Sequence, residues 1–317
     1  MAVGLLEQVA KSTTCGHDLF WVREVLRRIE RGEVEGGVLD GSVEDAQRAA
    51  KGAADNVLGH MDSGERAKLL ALLKPWWRPI PAGAFDMGGD QYDDEKPIHR
   101  VTFTSGFQML GVPVTWAMYR LFDPGHDAAR DTFDGKLPPE AQDEVPVYRV
   151  SWYASVMFAE WVGARLPLEP EWEYACRAGT TMRFWSGDTV ENLARVGWTD
   201  QNSNGHPHPV AQKPKNAWGL HDVHGNVFEW CADVEDPKSY ARCASGLTLD
   251  SRRSTFDSSL RLPKTVVSNM QRSSRGGSWH DGPVKSRSAY RGWHTPSGTD
   301  TFGRVGFRLL LSSPERP

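Results

Sequence analysis

Arg275-Gly276-Gly277-Ser278-Trp279 opens the stretch that decides the fold. Arg287-Ser288-Ala289-Tyr290-Arg291 continues it, and Gly303-Arg304-Val305-Gly306-Phe307-Arg308-Leu309-Leu310-Leu311 closes it. The two ends read as strands, because aromatic and aliphatic residues alternate with glycines that allow close backbone approach. His280 to Lys285 and Gly292 to Thr301 are rich in Gly, Pro, Ser, Thr and Asp, the composition of surface loops. Two framing strands therefore hold up a polar loop surface. Arg287, Arg291 and Arg308 read as internal staples, since one guanidinium fork satisfies several loop carbonyls. The competing reading is an anionic ligand.

Further motifs lie upstream in a fixed order. Trp77 to Gly88 reads Trp-Arg-Pro-Ile-Pro-Ala-Gly-Ala-Phe-Asp-Met-Gly. Pro146-Val147 precedes Val150-Ser151-Trp152, and Arg165-Leu166-Pro167 precedes Glu169-Pro170-Glu171-Trp172-Glu173-Tyr174-Ala175. Asn216 to Trp230 contains Trp218-Gly219-Leu220-His221-Asp222-Val223-His224-Gly225-Asn226-Val227-Phe228-Glu229-Trp230. With the C-terminal frame, these resemble the formylglycine-generating enzyme, or sulfatase-modifying factor, family across about residues 76–311. The resemblance implies an α+β, loop-rich domain with a C-type-lectin-like fold.

Composition agrees with a loop-rich chain. Thirteen Trp stand beside 31 Gly and 20 Pro in 317 residues, which favours a fold pinned by large aromatics over a helix bundle. The net charge of -4 argues against a nucleic-acid partner. No apolar run has membrane-spanning length. Cys15, Cys176, Cys231 and Cys243 form no CxxC pair, and the opening residues lack a basic region followed by an apolar core. The expected location is the cytoplasm, with reduced thiols.

Residues 1–75 read as a small helical domain suited to docking a second protein component. Leu19, Val22, Leu26 and Ile29 form one stripe, and Pro75 ends a last helix that begins near Ser63. The large domain then covers 76–317, with an insertion at about 234–274 that has no clear period. Asp93, Asp94 and Glu95 read as a solvated loop rather than a metal site. Glu171 and Glu173, two apart on a helix, read as surface or structural residues rather than an acid/base pair. His206 and His208 would point the same way from an extended segment, but further ligands are not evident.

In the resembled family the loop before Trp230 binds calcium. Carried over by position, the carbonyls of Asp222, Gly225 and Val227 and the carboxylate of Glu229 would be the ligands, an all-oxygen set suited to a hard cation. The competing reading has Glu229 bonding within a buried turn. The enzymes of that family oxidise a peptide cysteine with two thiolates placed after the Gly-Gly-Ser frame. This chain has no cysteine after Cys243, and Asp281 and the region of Lys285 and Ser286 occupy the equivalent places. A related iron-dependent branch uses a three-histidine motif that residues 1–75 lack. Neither copper nor iron is expected.

The expectation is a non-catalytic recognition protein, similar to variable proteins of diversity-generating retroelements. Its ligand, a protein or peptide, would meet His280, Asp281, Gly282, Lys285, Tyr290, Trp293, His294, Ser297, Thr299 and Asp300. Tyr and Trp give contact area at small entropic cost among short polar residues. Two alternatives stay open: a lectin-like carbohydrate module, and a metal-dependent oxidoreductase with an altered site.

Overall fold

The computed structural model describes residues 63–124, 126, 139–251, 271–296 and 304–312. The helical reading of 1–62, the middle of the insertion, and Ser297, Thr299 and Asp300 lie outside the described residues. Among the described residues no helix is long and apolar enough to cross a membrane.

Helix α1 (Ser63–Leu73) ends where Pro75 enters the next turn. Leu69 and Leu73, one turn apart, are fully buried in the same cluster as Trp161 and Phe307. The Arg66 Nε–H also donates to the Trp161 carbonyl at 2.6 Å. This last helix before Pro75 therefore packs on the large domain. Trp76 and Trp77, directly after Pro75, pack against that cluster.

Strands β1 (Trp77–Ile80), β2 (Gly83–Met87), β3 (His99–Phe103) and β4 (Phe107–Leu110) come next. Helix α2 (Trp116–Arg120) and helix α3 (Trp152–Trp161) start at Thr115 and Ser151, whose hydroxyls accept from the amides three residues on. Helix α4 (Glu169–Arg177) is buried along its whole length, and α5 (Val190–Val196) opens on a Thr189–Asn192 capping box. Strands β5 (Phe228–Val234), β6 (Leu247–Leu249), β7 (Arg272–Arg275), β8 (Gly292–His294), β9 (Val305–Gly306) and β10 (Leu310–Ser312) follow, and two single-turn helices lie at Pro139–Gln142 and Ser239–Arg242.

The strands make three small sheets, ordered β1-β4-β10, β2-β3-β6 and β8-β7-β5-β9. The fold is α+β, as expected. The frame differs in detail from its reading in the sequence. Its first strand ends at Arg275, and Gly276–Trp279 is a turn. The closing stretch breaks into two short strands, β9 and β10. Gly277 has φ 75°, and a Cβ there would lie 2.6 Å from the Ser286 hydroxyl, so the turn admits only glycine.

Two aromatic clusters form the core. One joins Tyr119, Phe122, Phe158, Trp161 and Phe307, and the other joins Phe85, Phe103, Trp172 and Tyr174. Between the elements runs a buried polar layer. Arg275 pairs with Glu173 and reaches Glu169 at 3.4 Å, and Arg291 reaches Glu169 at 2.8 Å. Arg177 joins Glu173 at 2.9 Å, and Arg165 forks onto Glu171 at 2.7 Å through both nitrogens. Burial alone would raise the Glu169 carboxyl, but Arg291 and then Arg275 outweigh it and hold it below its ordinary range. Glu171 and Glu173 are thus structural and not on the surface. Glu95 corrects the reading of a solvated 93–95 loop: it is fully buried and binds Arg287 at 2.5 and 2.9 Å. The all-polar strand β7 is buried because Arg275 finds these acids while Arg272 lies over the Trp152 ring at 3.9 Å and donates to the Ala232 carbonyl.

Candidate functional site

Asp281 anchors the C-terminal loop. It is buried, it accepts from the Ser278 hydroxyl, and Lys285 Nζ and Arg304 Nη1 reach it at 2.9 and 3.3 Å. Its carbonyl accepts from the Asp200 amide at 3.2 Å. Asp281 is therefore not a ligand-facing residue, which corrects its place in the expected surface. It is a pin that fixes Lys285 and Arg304 at the rim. Arg287 ties the same loop to Glu95, and Arg275 binds the Ser288 carbonyl at 2.8 Å. The loop backbone is set by side chains that the fold holds rigidly.

Beside this pin lies an aromatic group. Tyr290 packs edge-on against Tyr92, with ring centres 6.0 Å apart, and lies 6.4 Å from Phe228. His294 meets Phe228 at 5.3 Å and Trp230 at 5.8 Å. Burial, then Asp281 and Tyr92, push the Tyr290 hydroxyl up to about 12, so it stays protonated and able to donate. Tyr92 is 42% exposed and Arg287 lies over its ring at 5.5 Å. Trp293 is 50% exposed, but on a strand it faces opposite to His294. The expected surface thus divides. Lys285 sits on the pin with Tyr290 beside it, His294 joins Tyr290 through Phe228, His280 is exposed and Gly282 partly covered, while Trp293 stands apart. Tyr92, Phe228 and Arg304 join the site without having been singled out. Tyr92 lies far from Tyr290 in the sequence, and no local pattern pairs them.

No thiol reaches this place among the described residues. Cys176 lies deeper, with Sγ 3.9 Å from His224 Nε2 and 3.8 Å from the Ser288 hydroxyl. Burial pushes its thiol up to about 12 and the His224 imidazole down to about 3. His224 Nε2 accepts from the Trp185 amide at 3.0 Å, so its proton sits on Nδ1 and goes to the Ser286 carbonyl. A neutral thiol beside a neutral imidazole is packing, not a nucleophile pair. His206 and His208 do lie together, with ring centres 4.5 Å apart, and His208 stacks on Trp198 at 3.7 Å. Among the described residues no third metal-ligating side chain joins them.

The turn expected to hold calcium is built differently. Glu229 is fully buried, and Arg308 binds its two oxygens at 2.5 and 2.6 Å. The Trp172 Nε1–H adds a third bond at 2.6 Å. A divalent cation on Glu229 would sit against a buried guanidinium, so the carboxylate does not fit a calcium ligand. Gly225 and Val227 shape the turn instead: Gly225 has φ 80° and bonds Gly276 through its amide at 2.7 Å. Asp222 takes the Ala211 amide on one oxygen at 2.8 Å, while its other oxygen is buried without a partner among the described residues.

Burial pushes the Asp222 carboxyl up to about 6, against the pull of the Ala211 amide and Arg308. A raised carboxyl contributes stability that is present below its unfolded value of 3.8 and is lost as pH rises through 6. Asp222→Asn keeps the acceptor, and Asn tolerates the φ of 56° at this position. The variant is expected to melt above the wild type at about pH 8, with the gap closing below about pH 4. Thermal melts across that range check it, and a gap that does not change with pH refutes it.

With this geometry in hand, comparison with known proteins gives the family. A model of the sulfatase-modifying factor enzyme 1-like domain matches residues 78–313. The chain belongs to this family. It is 32% identical to the mouse formylglycine-generating enzyme over 251 residues, covering 61% of this chain and 65% of that protein. It is 30% identical over 247 residues to the serine/threonine-protein kinase pkn1 of Chlamydia caviae, covering 72% of this chain but 37% of the kinase. Among solved structures, Treponema denticola variable protein 1 matches with TM-score 0.63 and 22% identity, over 75% of this chain and 95% of that one. That structure shares the sulfatase-modifying factor fold described above.

Proposed function

We propose that this sulfatase-modifying factor domain is a non-catalytic recognition module that binds a protein or peptide segment at the Tyr290 site. The observation that carries the reading is the Asp281 pin. Where the resembled enzymes need a thiolate, this chain has a carboxylate already engaged by Ser278, Lys285 and Arg304. Hard oxygen does not replace soft sulfur toward copper. Two cations stand on the pin beside a tyrosine pair, and Phe228 links that pair to the His294 imidazole; these are side chains suited to anchoring a polypeptide. The kinase match covers little more than a third of the kinase, which fits a scaffold that serves a second activity. Residues 1–75 would dock that second component.

The expected result with a sulfatase-type cysteine peptide, copper and oxygen is no aldehyde above background, measured by mass spectrometry. Turnover that depends on the protein would overturn the reading and favour the oxidoreductase alternative.

A further inference from the structure

One acid of the polar layer has no cation of its own. Asp233, on β5, accepts the Glu169 amide at the start of α4 through Oδ2 at 2.8 Å. The Ala232 amide bonds the Pro167 carbonyl at 2.9 Å, so the end of β5 is locked to the entry of α4. Two more carboxylates, Glu169 and Glu171, lie on the first turn of α4. Arg291 and Arg275 serve Glu169, and Arg165 serves Glu171. Among the described residues no arginine, lysine or histidine pairs with Asp233. Cys231 shares the strand, and burial and then Asp233 push its thiol up, so it adds no charge. Asp233 is half-buried, so solvent protons reach it. Burial and then Glu169 push its carboxyl up to about 7, against the pull of the Glu169 amide, and Glu171 adds to the rise.

Glu169 connects this acid to the Tyr290 site. Its Oε2 accepts from Arg291 Nη2 at 2.8 Å and its Oε1 from Arg291 Nε at 3.2 Å. Arg291 follows Tyr290 in the chain, and its Nη1 donates to the Asp94 carbonyl at 2.9 Å. Both Nη groups also reach the carbonyl of Asp236, three residues beyond Asp233, at 3.4 Å. Asp94 belongs to the loop that presents Tyr92. Asp233, Glu169, Arg291 and Asp94 therefore form one unbroken series of hydrogen bonds from the end of β5 to the tyrosine pair. Despite burial, the guanidinium groups of Arg165, Arg275 and Arg291 are held above their ordinary value and stay charged near neutrality.

We infer that Asp233 is a proton-sensitive latch on the Tyr290 site, acting through Glu169 and Arg291 on the loop that carries Tyr92. Protonated, Asp233 leaves Glu169 free to hold Arg291, which holds the loop. Ionised, it sets a negative charge without a counter-ion beside Glu169 and Glu171, and the grip on Arg291 loosens. The site is thus firm in mild acid and looser in mild base. The sign follows from linkage: a raised carboxyl contributes stability that is present below its unfolded value of 3.8 and is lost as pH rises through about 7. The latch rests on the Tyr290 reading for what it regulates.

Hydrogen exchange of the full chain, read by mass spectrometry at about pH 6 and about pH 8 and divided by the intrinsic rates, tests the latch. Segment 88–96 reports on the loop, because the Gly89, Glu95 and Lys96 amides bond within it. Its opening is expected to rise about tenfold over that range in the wild type. Asp233→Asn keeps an acceptor for the Glu169 amide and should hold the rise below about twofold. Asp222→Asn, which removes the other raised carboxyl, should leave the tenfold rise in place. No rise in the wild type, an equal rise in Asp233→Asn, loss of the rise in Asp222→Asn, or a rise confined to 167–173 and 231–235 would each overturn the latch. Capture is read separately, from a photo-crosslinking group at Tyr92: the adduct should fall at the higher pH in the wild type and not in Asp233→Asn. An adduct that falls equally in both also overturns the latch. If exchange behaves as expected but no adduct forms at either pH, the coupling stands and the Tyr290 binding reading alone fails.

Discussion

Replacing Arg308 by Met is expected to lower the unfolding free energy by about 3–5 kcal/mol, the usual cost of leaving a buried charge uncompensated. Arg308 is fully buried and ties three groups together. It forks onto Glu229, and it donates to the carbonyls of Leu110 at 3.1 Å and His221 at 3.0 Å. Trp172 shares the same carboxylate at 2.6 Å. With Met, Glu229 keeps a charge with only one hydrogen bond, and two carbonyls lose their donor. Adding Glu229→Gln removes that charge and keeps an acceptor for the indole, so the double variant should recover more than half of the loss. Urea denaturation of the four proteins gives the cycle. A single-variant loss below about 1 kcal/mol would mean that the carboxylate has another counter-charge, and calcium would then return as the candidate.

The second large effect concerns binding. Tyr290→Ala should weaken the affinity for the captured polypeptide by about 2 kcal/mol, or roughly thirtyfold, as for a central anchor. Tyr290→Phe keeps the ring on Tyr92 and Phe228, and should lose less. Trp293→Ala should stay within about threefold, because Trp293 faces away from His294 across β8. Isothermal titration distinguishes the three. If Trp293→Ala costs as much as Tyr290→Ala, the ligand spans both faces of the strand and the site is wrongly centred.

The fold was legible because its motifs are local runs with distinctive residues. The Gly-Gly-Ser-Trp turn, the Ser151 cap and the Trp218–Trp230 segment each signal their own geometry. The staples Arg287, Arg291 and Arg308 were legible as arginines in a loop-rich frame. Their partners were not: Arg287 and Glu95 lie 192 residues apart, and nothing local to either marks the pairing. The same distance hid Tyr92. Asp281-Gly282-Pro283 has the composition of an exposed turn, and only the tertiary approach of Lys285, Arg304 and Ser278 buries its first residue. Strand β7, Arg-Ser-Ser-Arg, has no apolar alternation, and its burial depends on ion pairs from α4. Where function was placed on loop composition alone, the reading overestimated the contiguity of the surface.

The central claim is that a polypeptide ligand sits at the pinned aromatic site. A photo-crosslinking amino acid placed at Tyr92 tests it directly, with the same group at Val190 as the control, since both positions are exposed, at 42% and 40%. Irradiation in extract of the native host should give a discrete covalent polypeptide adduct from position 92, and that adduct should disappear in the Tyr290→Ala background. Position 190 should give none. Equal adducts from both positions, or an adduct at 92 that persists without Tyr290, would contradict the account.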